Sequence, residues 1–111
     1  QNPLHTATYE EIMAHYQALA AEYPSMFRFQ PAGETDSGRP LHLGILSPTG
    51  AFEPDALRKA GATITFINNG IHPGEPEGID ACMMLVRDLL RNDSLRQQLL
   101  GNNALVFIPV Y

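Results

Sequence analysis

A histidine and a glutamate three residues apart, His72 and Glu75, follow an apolar run that ends in Asn-Asn-Gly. Imidazole nitrogen and carboxylate oxygen are common zinc ligands, and some catalytic zinc ions are held by two histidines and a glutamate. In open α/β sheets, ligands bind in loops that follow a strand. We therefore predict that His72 and Glu75 are two of three protein ligands of a catalytic zinc ion.

The same pair has a plainer interpretation without a metal. Glu75 would then be an acid in the first turn of a helix, favoured by the helix dipole, and His72 an ordinary loop residue. The composition of the loop favours the metal. Gly70 and Gly74 permit backbone conformations that are closed to other residues, and Pro73 limits the freedom of the histidine before it. Such a loop is suited to holding side chains in fixed directions.

The pair must be positioned by a strand before it and a helix after it. Residues 63–69 are apolar and β-branched, which predicts a strand buried in a sheet. Residues 76–91 predict the main helix, in which Met83 and Met84 are expected to fill the core. Its apolar stripe, at helical spacing, consists of Ile79, Cys82, Met83, Val86, Leu89 and Leu90. A strand–helix crossover of this kind predicts a parallel strand after it.

The remaining segments predict one compact unit whose strands are mixed in direction. Thr8 and Glu11 form a capping-box pattern at the start of a helix that Pro24 ends. The other predicted elements are a hairpin of strands at 27–30 and 41–46 around a turn at 36–38, helices at 54–60 and 95–100 that end at glycines, and a fourth strand at 105–108.

Other side chains that could do chemistry have simpler interpretations. His42 is a candidate metal ligand, but in an alternating strand it is expected to be packed or solvated. Arg39 is expected to be a solvated turn residue rather than an anion site. His15 faces away from the apolar stripe of the first helix and is expected on the surface, while His5 has no assigned role. Cys82 is expected to be a small buried hydrophobic residue.

Three segments, in order along the chain, resemble the zinc metallocarboxypeptidase family, the relatives of the pancreatic carboxypeptidases. Residues 68–78, Asn-Asn-Gly-Ile-His-Pro-Gly-Glu-Pro-Glu-Gly, look like the family's first zinc-binding segment, in which H-x-x-E follows a strand. Residues 33–47 are similar to its G-x-S-x-E-G-R-P-I stretch and following strand, and residues 105–111 resemble its next core strand. The likeness covers nearly the whole chain.

This resemblance implies an α/β fold with a mixed sheet and flanking helices, the N-terminal portion of a zinc-carboxypeptidase-like (phosphorylase/hydrolase-like) fold. It implies a zinc ion held by His72, Glu75 and a histidine downstream of Tyr111, and release of the C-terminal residue of a peptide by metal-activated water. The general base is also expected downstream. Residues 1–111 are thus expected to be part of a single catalytic domain, truncated after the fourth strand and inactive alone.

Gly74 departs from the digestive members of the family, which have arginine before the zinc glutamate. That arginine contributes to substrate binding, so the substrate-binding residues of this chain are left unassigned. Two alternatives stay open. One is a zinc amidohydrolase of the same fold that acts on N-acyl amino acids or cell-wall peptides. The other is a non-catalytic α/β interaction module in which His72 and Glu75 only shape a turn.

Net charge and hydropathy limit which partners are expected in addition to a peptide substrate. The net charge of −5 argues against nucleic acid and anionic membranes. No apolar run reaches the roughly 18–20 residues of a membrane span, and the single cysteine excludes an internal disulfide. Gln1 in place of an initiator Met fits a processed, secreted or periplasmic protein, although a trimmed chain would look the same.

The last predicted strand needs other elements to cover its apolar surface. Parallel strands are normally buried on both faces, and this strand is followed almost at once by Tyr111. We therefore expect an exposed apolar edge through which the 111-residue chain self-associates.

Overall fold

The computed structural model describes residues 7–34, 38, 40–69 and 76–110, with the backbone alone at 76 and 77. None of the helices in these ranges combines the length and hydrophobicity needed to cross a bilayer. The predicted elements are present, although β1 is longer than predicted, and the predicted turn lies mostly outside the described residues. In order they are α1 (Tyr9–Glu22), β1 (Phe27–Glu34), β2 (Pro40–Leu46), α2 (Pro54–Lys59), β3 (Ile64–Asn68), α3 (Pro76–Arg91), α4 (Asp93–Leu99) and β4 (Ala104–Ile108).

The described strands form one mixed sheet in the order β1-β2-β4-β3. β1 and β2 are an antiparallel hairpin, as predicted, and β2 is also antiparallel to β4. β3 and β4 are parallel, with Ile64 opposite Ala104 and Asn68 opposite Ile108. The predicted crossover to a parallel strand is therefore confirmed, and the carboxyl ends of β3 and β4 lie at the same edge of the sheet.

Local signals begin and end the helices where the sequence predicts. Thr8 Oγ1 accepts a hydrogen bond from the Glu11 backbone N–H at 3.1 Å, and Glu11 Oε1 accepts one from the Thr8 N–H at 2.8 Å, which completes the capping box. Gly61 follows α2 with a φ of +70°, a conformation that glycine adopts without steric cost. At the start of α4, Asn92 Oδ1 accepts from the Leu95 N–H at 3.0 Å.

Arg96 ties α4 to the end of α3. Its Nη1 donates to the carbonyl oxygens of Leu89 at 3.0 Å and Leu90 at 3.3 Å, which lie in the last turn of α3. Carbonyls there have no partner within the helix. Its Nη2 pairs with Asp93 at 2.6 Å. One part-buried guanidinium thus joins the two helices of the crossover.

The hydrophobic core lies between α1, α3 and one face of the sheet. The rings of Tyr16 and Phe107 are fully buried with centroids 5.0 Å apart, and Phe107 stacks on Phe27 at 6.1 Å with planes 10° apart. Burying a side chain of this size contributes about 1.5–3 kcal/mol. The other buried members are Ile12, Met13, Leu19, Leu46, Cys82, Val86, Leu89, Leu90 and Leu105.

Gly44 in β2 makes room for the Phe107 ring. The two residues are opposite each other in the β2–β4 pair, and a Cβ atom at Gly44 would overlap the ring. The missing side chain therefore allows the ring to lie across β2 while keeping its contacts with Tyr16 and Phe27.

β3 lies at the end of the described sheet and is largely exposed, so the prediction that it is buried in the sheet is wrong. It is the last strand in the sheet order, and Ile64 and Phe66 are 51% and 55% exposed. Strand alternation directs these two side chains away from the face that carries the core. Among the described strands β3 pairs only with β4, so the apolar edge expected from the sequence is open in this part of the chain.

Two helix residues also lie elsewhere than predicted. His15 is half-buried rather than on the surface, because α1 packs beside α3 and places the His15 Nε2 3.2 Å from the Met83 carbonyl oxygen. Its ring packs edge-on against Tyr16 at 5.0 Å. Met84 is 50% exposed, so the prediction that it fills the core is wrong, whereas Met83 packs against the core.

The environment of His15 disfavours its charged form. Burial is the largest cause that lowers the pKa of His15, and Arg87 and Arg91 on α3 lower it further. The hydrogen bond with the Met83 carbonyl opposes this shift in part. A neutral imidazole that donates from Nε2 to this carbonyl fits the contact.

We expect Gly44→Ala to lower the free energy of unfolding by about 1–3 kcal/mol, the usual cost of adding volume to a packed core. Phe107 cannot move aside without losing its buried ring contacts. Gly78→Ala is the matched control, because its Cβ would meet only the Asn69 Oδ1 at 4.0 Å, and alanine favours a helix by up to about 1 kcal/mol. Urea unfolding followed by circular dichroism compares them, and unchanged stability of Gly44→Ala would contradict this packing.

We also expect acid to destabilise the fold through His15. The folded pKa lies below the ordinary value of 6.5, so the unfolded chain binds more protons between the two values. The free energy of unfolding should then fall as the pH drops through 6.5, and should not depend on His15 above it. Urea unfolding at about pH 7.5 and about pH 5.5 measures this. If His15→Gln loses as much stability as the wild type over that interval, this assignment is wrong.

Candidate functional site

The residues with metal-binding chemistry belong to the loop between β3 and α3. β3 ends at Asn68, α3 begins at Pro76, and the parallel strand β4 ends at Ile108. His72 and Glu75 lie between these elements but outside the described residues, so their geometry stays a prediction. The loop leaves β3 at the carboxyl edge of the parallel pair, which is where ligands bind in open α/β sheets.

Asn69 contacts the structure on both sides of this loop. Its backbone N–H donates to the Ile108 carbonyl at 3.1 Å, which continues the strand pairing one residue beyond β3. Its side chain is buried and turns toward α3, since its Oδ1 lies 4.0 Å from the position of a Cβ built on Gly78. The Asn69 side chain therefore lies where the end of β3 approaches the first turns of α3.

A small polar cluster, formed by Asn69, Cys82 and Tyr16, lies beneath this point. Burial raises the pKa of Cys82, and the nearby Asn69 amide and Tyr16 hydroxyl offset this only in part. Burial also raises the pKa of Tyr16, so both groups are neutral near neutral pH. The Tyr16 hydroxyl makes no well-aligned hydrogen bond among the described residues, so its approach to the thiol is a loose contact. The predicted burial of Cys82 is confirmed.

Two buried polar atoms at the end of β3 have no hydrogen-bond partner among the described residues. They are the Oδ1 of Asn68 and the Nδ2 of Asn69. An unpaired buried amide costs about 1–3 kcal/mol, and most such groups in native proteins have a partner. Sequence reasoning assigned neither asparagine a role. The available signal was a pair of amide side chains directly after an apolar strand.

The other candidate residues do not assemble into a second site. His42 is half-buried and stacks on Phe29 with ring centroids 5.0 Å apart, so of the two predicted alternatives, packed or solvated, the structure shows the packed one. Its Nδ1 is buried without a partner in the described ranges. Arg39 and His5 lie outside those ranges. Over the part of the chain that is described, no three His, Cys, Asp or Glu side chains come together as a metal site requires.

The donor chemistry of the loop nevertheless suits zinc. His72 and Glu75 supply a nitrogen and an oxygen donor, and a catalytic site of this kind takes a third protein ligand and keeps one position open. Zinc-binding side chains are normally held by hydrogen bonds from neighbouring polar groups. The unpaired amide atoms of Asn68 and Asn69, next to the loop, are of the type that such a site needs.

Comparison with known proteins identifies the family of the chain. The family model for "Zinc carboxypeptidase" matches residues 12–111. The chain is similar to carboxypeptidase B of Astacus astacus, with 28% identity over 101 residues, which covers 91% of this chain and 30% of that protein. The chain therefore spans less than a third of the length of this curated relative.

Solved structures agree with this assignment at the level of the fold. Carboxypeptidase A from Helicoverpa armigera matches 95% of this chain and 24% of its own, with a TM-score of 0.78 and 22% identity. Bovine thrombin-activatable fibrinolysis inhibitor, in complex with tick carboxypeptidase inhibitor, matches 96% of this chain and 31% of its own, with a TM-score of 0.72 and 19% identity. The predicted α/β fold with a mixed sheet and flanking helices is confirmed. The chain belongs to the zinc carboxypeptidase family.

Proposed function

We propose that this chain is the N-terminal part of a single zinc-dependent hydrolase domain that releases the C-terminal residue of a peptide. The observation that carries the proposal is the family match over residues 12–111. The position of the β3–α3 loop at the carboxyl edge of the parallel strands supports it. The third zinc ligand, a histidine, and the general base, a glutamate, belong to sequence downstream of Tyr111.

In this proposal His72 and Glu75 hold the metal. When bound, zinc lowers the pKa of its water and polarises the carbonyl of the bond to be cleaved. In this proposal the other residues of the chain hold the segment that carries the two ligands in place. The Asn69 backbone N–H donates to the Ile108 carbonyl and holds the end of β3, where the loop begins, against β4. The 111-residue chain alone is expected to bind zinc weakly and to cleave no peptide.

Gly74 supports a second candidate within the same chemistry. Where the digestive members have arginine before the zinc glutamate, this chain has glycine. This difference keeps open a zinc amidohydrolase that acts on N-acyl amino acids or cell-wall peptides. Hydrolysis of peptides with free carboxyl termini, compared with hydrolysis of N-acyl amino acids by the same preparation, distinguishes the two.

A secreted or periplasmic location is a further proposal, which fractionation of the producing cells tests.

We expect the complete protein, with the sequence downstream of Tyr111, to contain about one equivalent of zinc. His72→Ala and Glu75→Ala should lose the metal on dialysis and should lose peptidase activity, because each removes a ligand. Metal analysis by mass spectrometry measures the first effect. His42→Gln is the matched control, since it replaces a half-buried histidine outside the loop and should keep the zinc.

Two results would contradict this assignment. A complete protein without zinc, or a His72→Ala variant that keeps it, would favour the metal-free interaction module. Peptide hydrolysis by residues 1–111 alone would show that the catalytic groups are not downstream.

We also propose that the 111-residue chain self-associates through β3. Its open edge, with the exposed Ile64 and Phe66, can pair with a second strand. Light scattering after size exclusion should give a mass above that of a monomer, and Phe66→Lys should restore the monomer because a buried charge opposes pairing. Met84→Lys is the control, at a residue of similar exposure on α3. A monomeric wild type, or equal effects of both variants, contradicts the proposal.

A further inference from the structure

His15 lies in the contact between α1 and α3. Its Nε2 is 3.2 Å from the Met83 carbonyl oxygen, and this hydrogen bond joins the two helices. The imidazole is half-buried and packs edge-on against the Tyr16 ring, with centroids 5.0 Å apart. A proton gained by His15 therefore places a charge inside the contact between the helices.

Tyr16 and Cys82 lie beneath His15, one on each helix. Tyr16, on α1, is 0% exposed, and Cys82, on α3, is 4% exposed. The Tyr16 hydroxyl and the Cys82 thiol are close enough for each to shift the pKa of the other. Because Tyr16 belongs to α1, a separation of α1 from α3 would carry its ring away and admit solvent to the thiol.

The charged groups that act on His15 come from α3 and are both cations. Arg87 and Arg91 lower the pKa of His15, after burial, which is the largest cause. Asp88 pairs with Arg87 at 3.2 Å, and Glu11 caps the start of α1. No carboxylate among the described residues is a cause of the shift in the pKa of His15. A protonated His15 would therefore be repelled by the helix against which it packs.

We propose that acid releases α1 locally from α3: a proton on His15 repels α3, Tyr16 leaves the core together with α1, and the Cys82 thiol becomes accessible to solvent. Proteins open in local units at a lower cost than that of global unfolding. The acid-sensitive step is thus the separation of one helix, while the sheet and α3 stay folded. This movement requires neither zinc nor the residues of the candidate metal loop.

Proton linkage limits the size of the effect. In the released state His15 regains its ordinary pKa of 6.5. If the closed state bound no proton at all, the released fraction would be about tenfold larger at about pH 5.5 than at about pH 7.5. The hydrogen bond with Met83 favours some protonation of the closed state, so we expect an increase of several-fold, below this limit.

The test measures how fast a dipyridyl disulfide labels Cys82 in the native complete protein, with mass spectrometry of the Cys82 peptide to identify the thiol. Each rate is divided by the rate for the urea-unfolded chain at the same pH, because thiol reactivity itself depends on pH. The ratio should rise several-fold from about pH 7.5 to about pH 5.5 in the wild type. It should stay nearly constant in His15→Gln, which gains no proton. Arg91→Gln should show a smaller rise, since without this cation the closed state is protonated more easily.

A thiol on the other face of the sheet is the matched control. Ala104 is 0% exposed and lies opposite Ile64 in the β3–β4 pair, on the face away from α1 and the core. Ala104→Cys combined with Cys82→Ala therefore reports opening of the whole fold, and its labelling should respond less to acid. Low concentrations of urea should scarcely accelerate labelling of Cys82, because separating one helix exposes little surface.

Four results would overturn the proposal. The first is a wild-type ratio that does not change over this pH interval, and the second is an equal rise in His15→Gln. The third is an equal rise at Cys82 and in Ala104→Cys, which would mean that the whole fold opens. The fourth is a labelling rate as sensitive to urea as global unfolding. If His15→Gln does not fold, Arg91→Gln decides, and a rise as large as that of the wild type rejects the proposal.

Discussion

The parallel pairing of β3 and β4 is the constraint on which the rest of the structure depends. Two parallel strands cannot be joined by a short turn, so the chain must cross over through a helix. Here the crossover consists of α3 and α4. It carries the chain from the carboxyl end of β3 back to the amino end of β4, so the carboxyl ends of both strands lie together at one edge of the sheet. The loop with His72 and Glu75 begins at that edge.

The hydrophobic core packs against one face of the β3–β4 pair and holds it in place. α3 buries Val86 and Leu89 against the sheet beside α1, and Arg96 joins α3 to α4 through the last carbonyls of α3. Phe107 in β4 lies over Gly44 and between two other aromatic rings. β4 is therefore fixed by packing on its core face, while β3, its neighbour, depends on β4 for its position.

Among the described residues, the polar side chains that cluster at the end of β3, Asn69, Cys82 and Tyr16, are neutral. Burial keeps the Cys82 thiol and the Tyr16 hydroxyl neutral by raising the pKa of both. A buried charge at this point would act strongly on nearby ligands, because the local dielectric constant is low. Neutral amides instead act through the direction of their hydrogen bonds, which is how polar neighbours usually orient metal ligands.

The sequence by itself determined the features that depend on near neighbours. The capping box of α1, the glycine after α2, the hairpin and the crossover follow from residues a few positions apart, and so do the type and order of the candidate zinc ligands. Only the tertiary structure decided which surfaces are covered. β3 is rich in apolar residues, yet Ile64 and Phe66 are exposed, and β3 is the last strand in the described sheet order. His15 is polar, yet half-buried because α3 lies beside α1. The sequence shows the two amides of Asn68 and Asn69, but that they are buried depends on contacts between segments far apart in the chain.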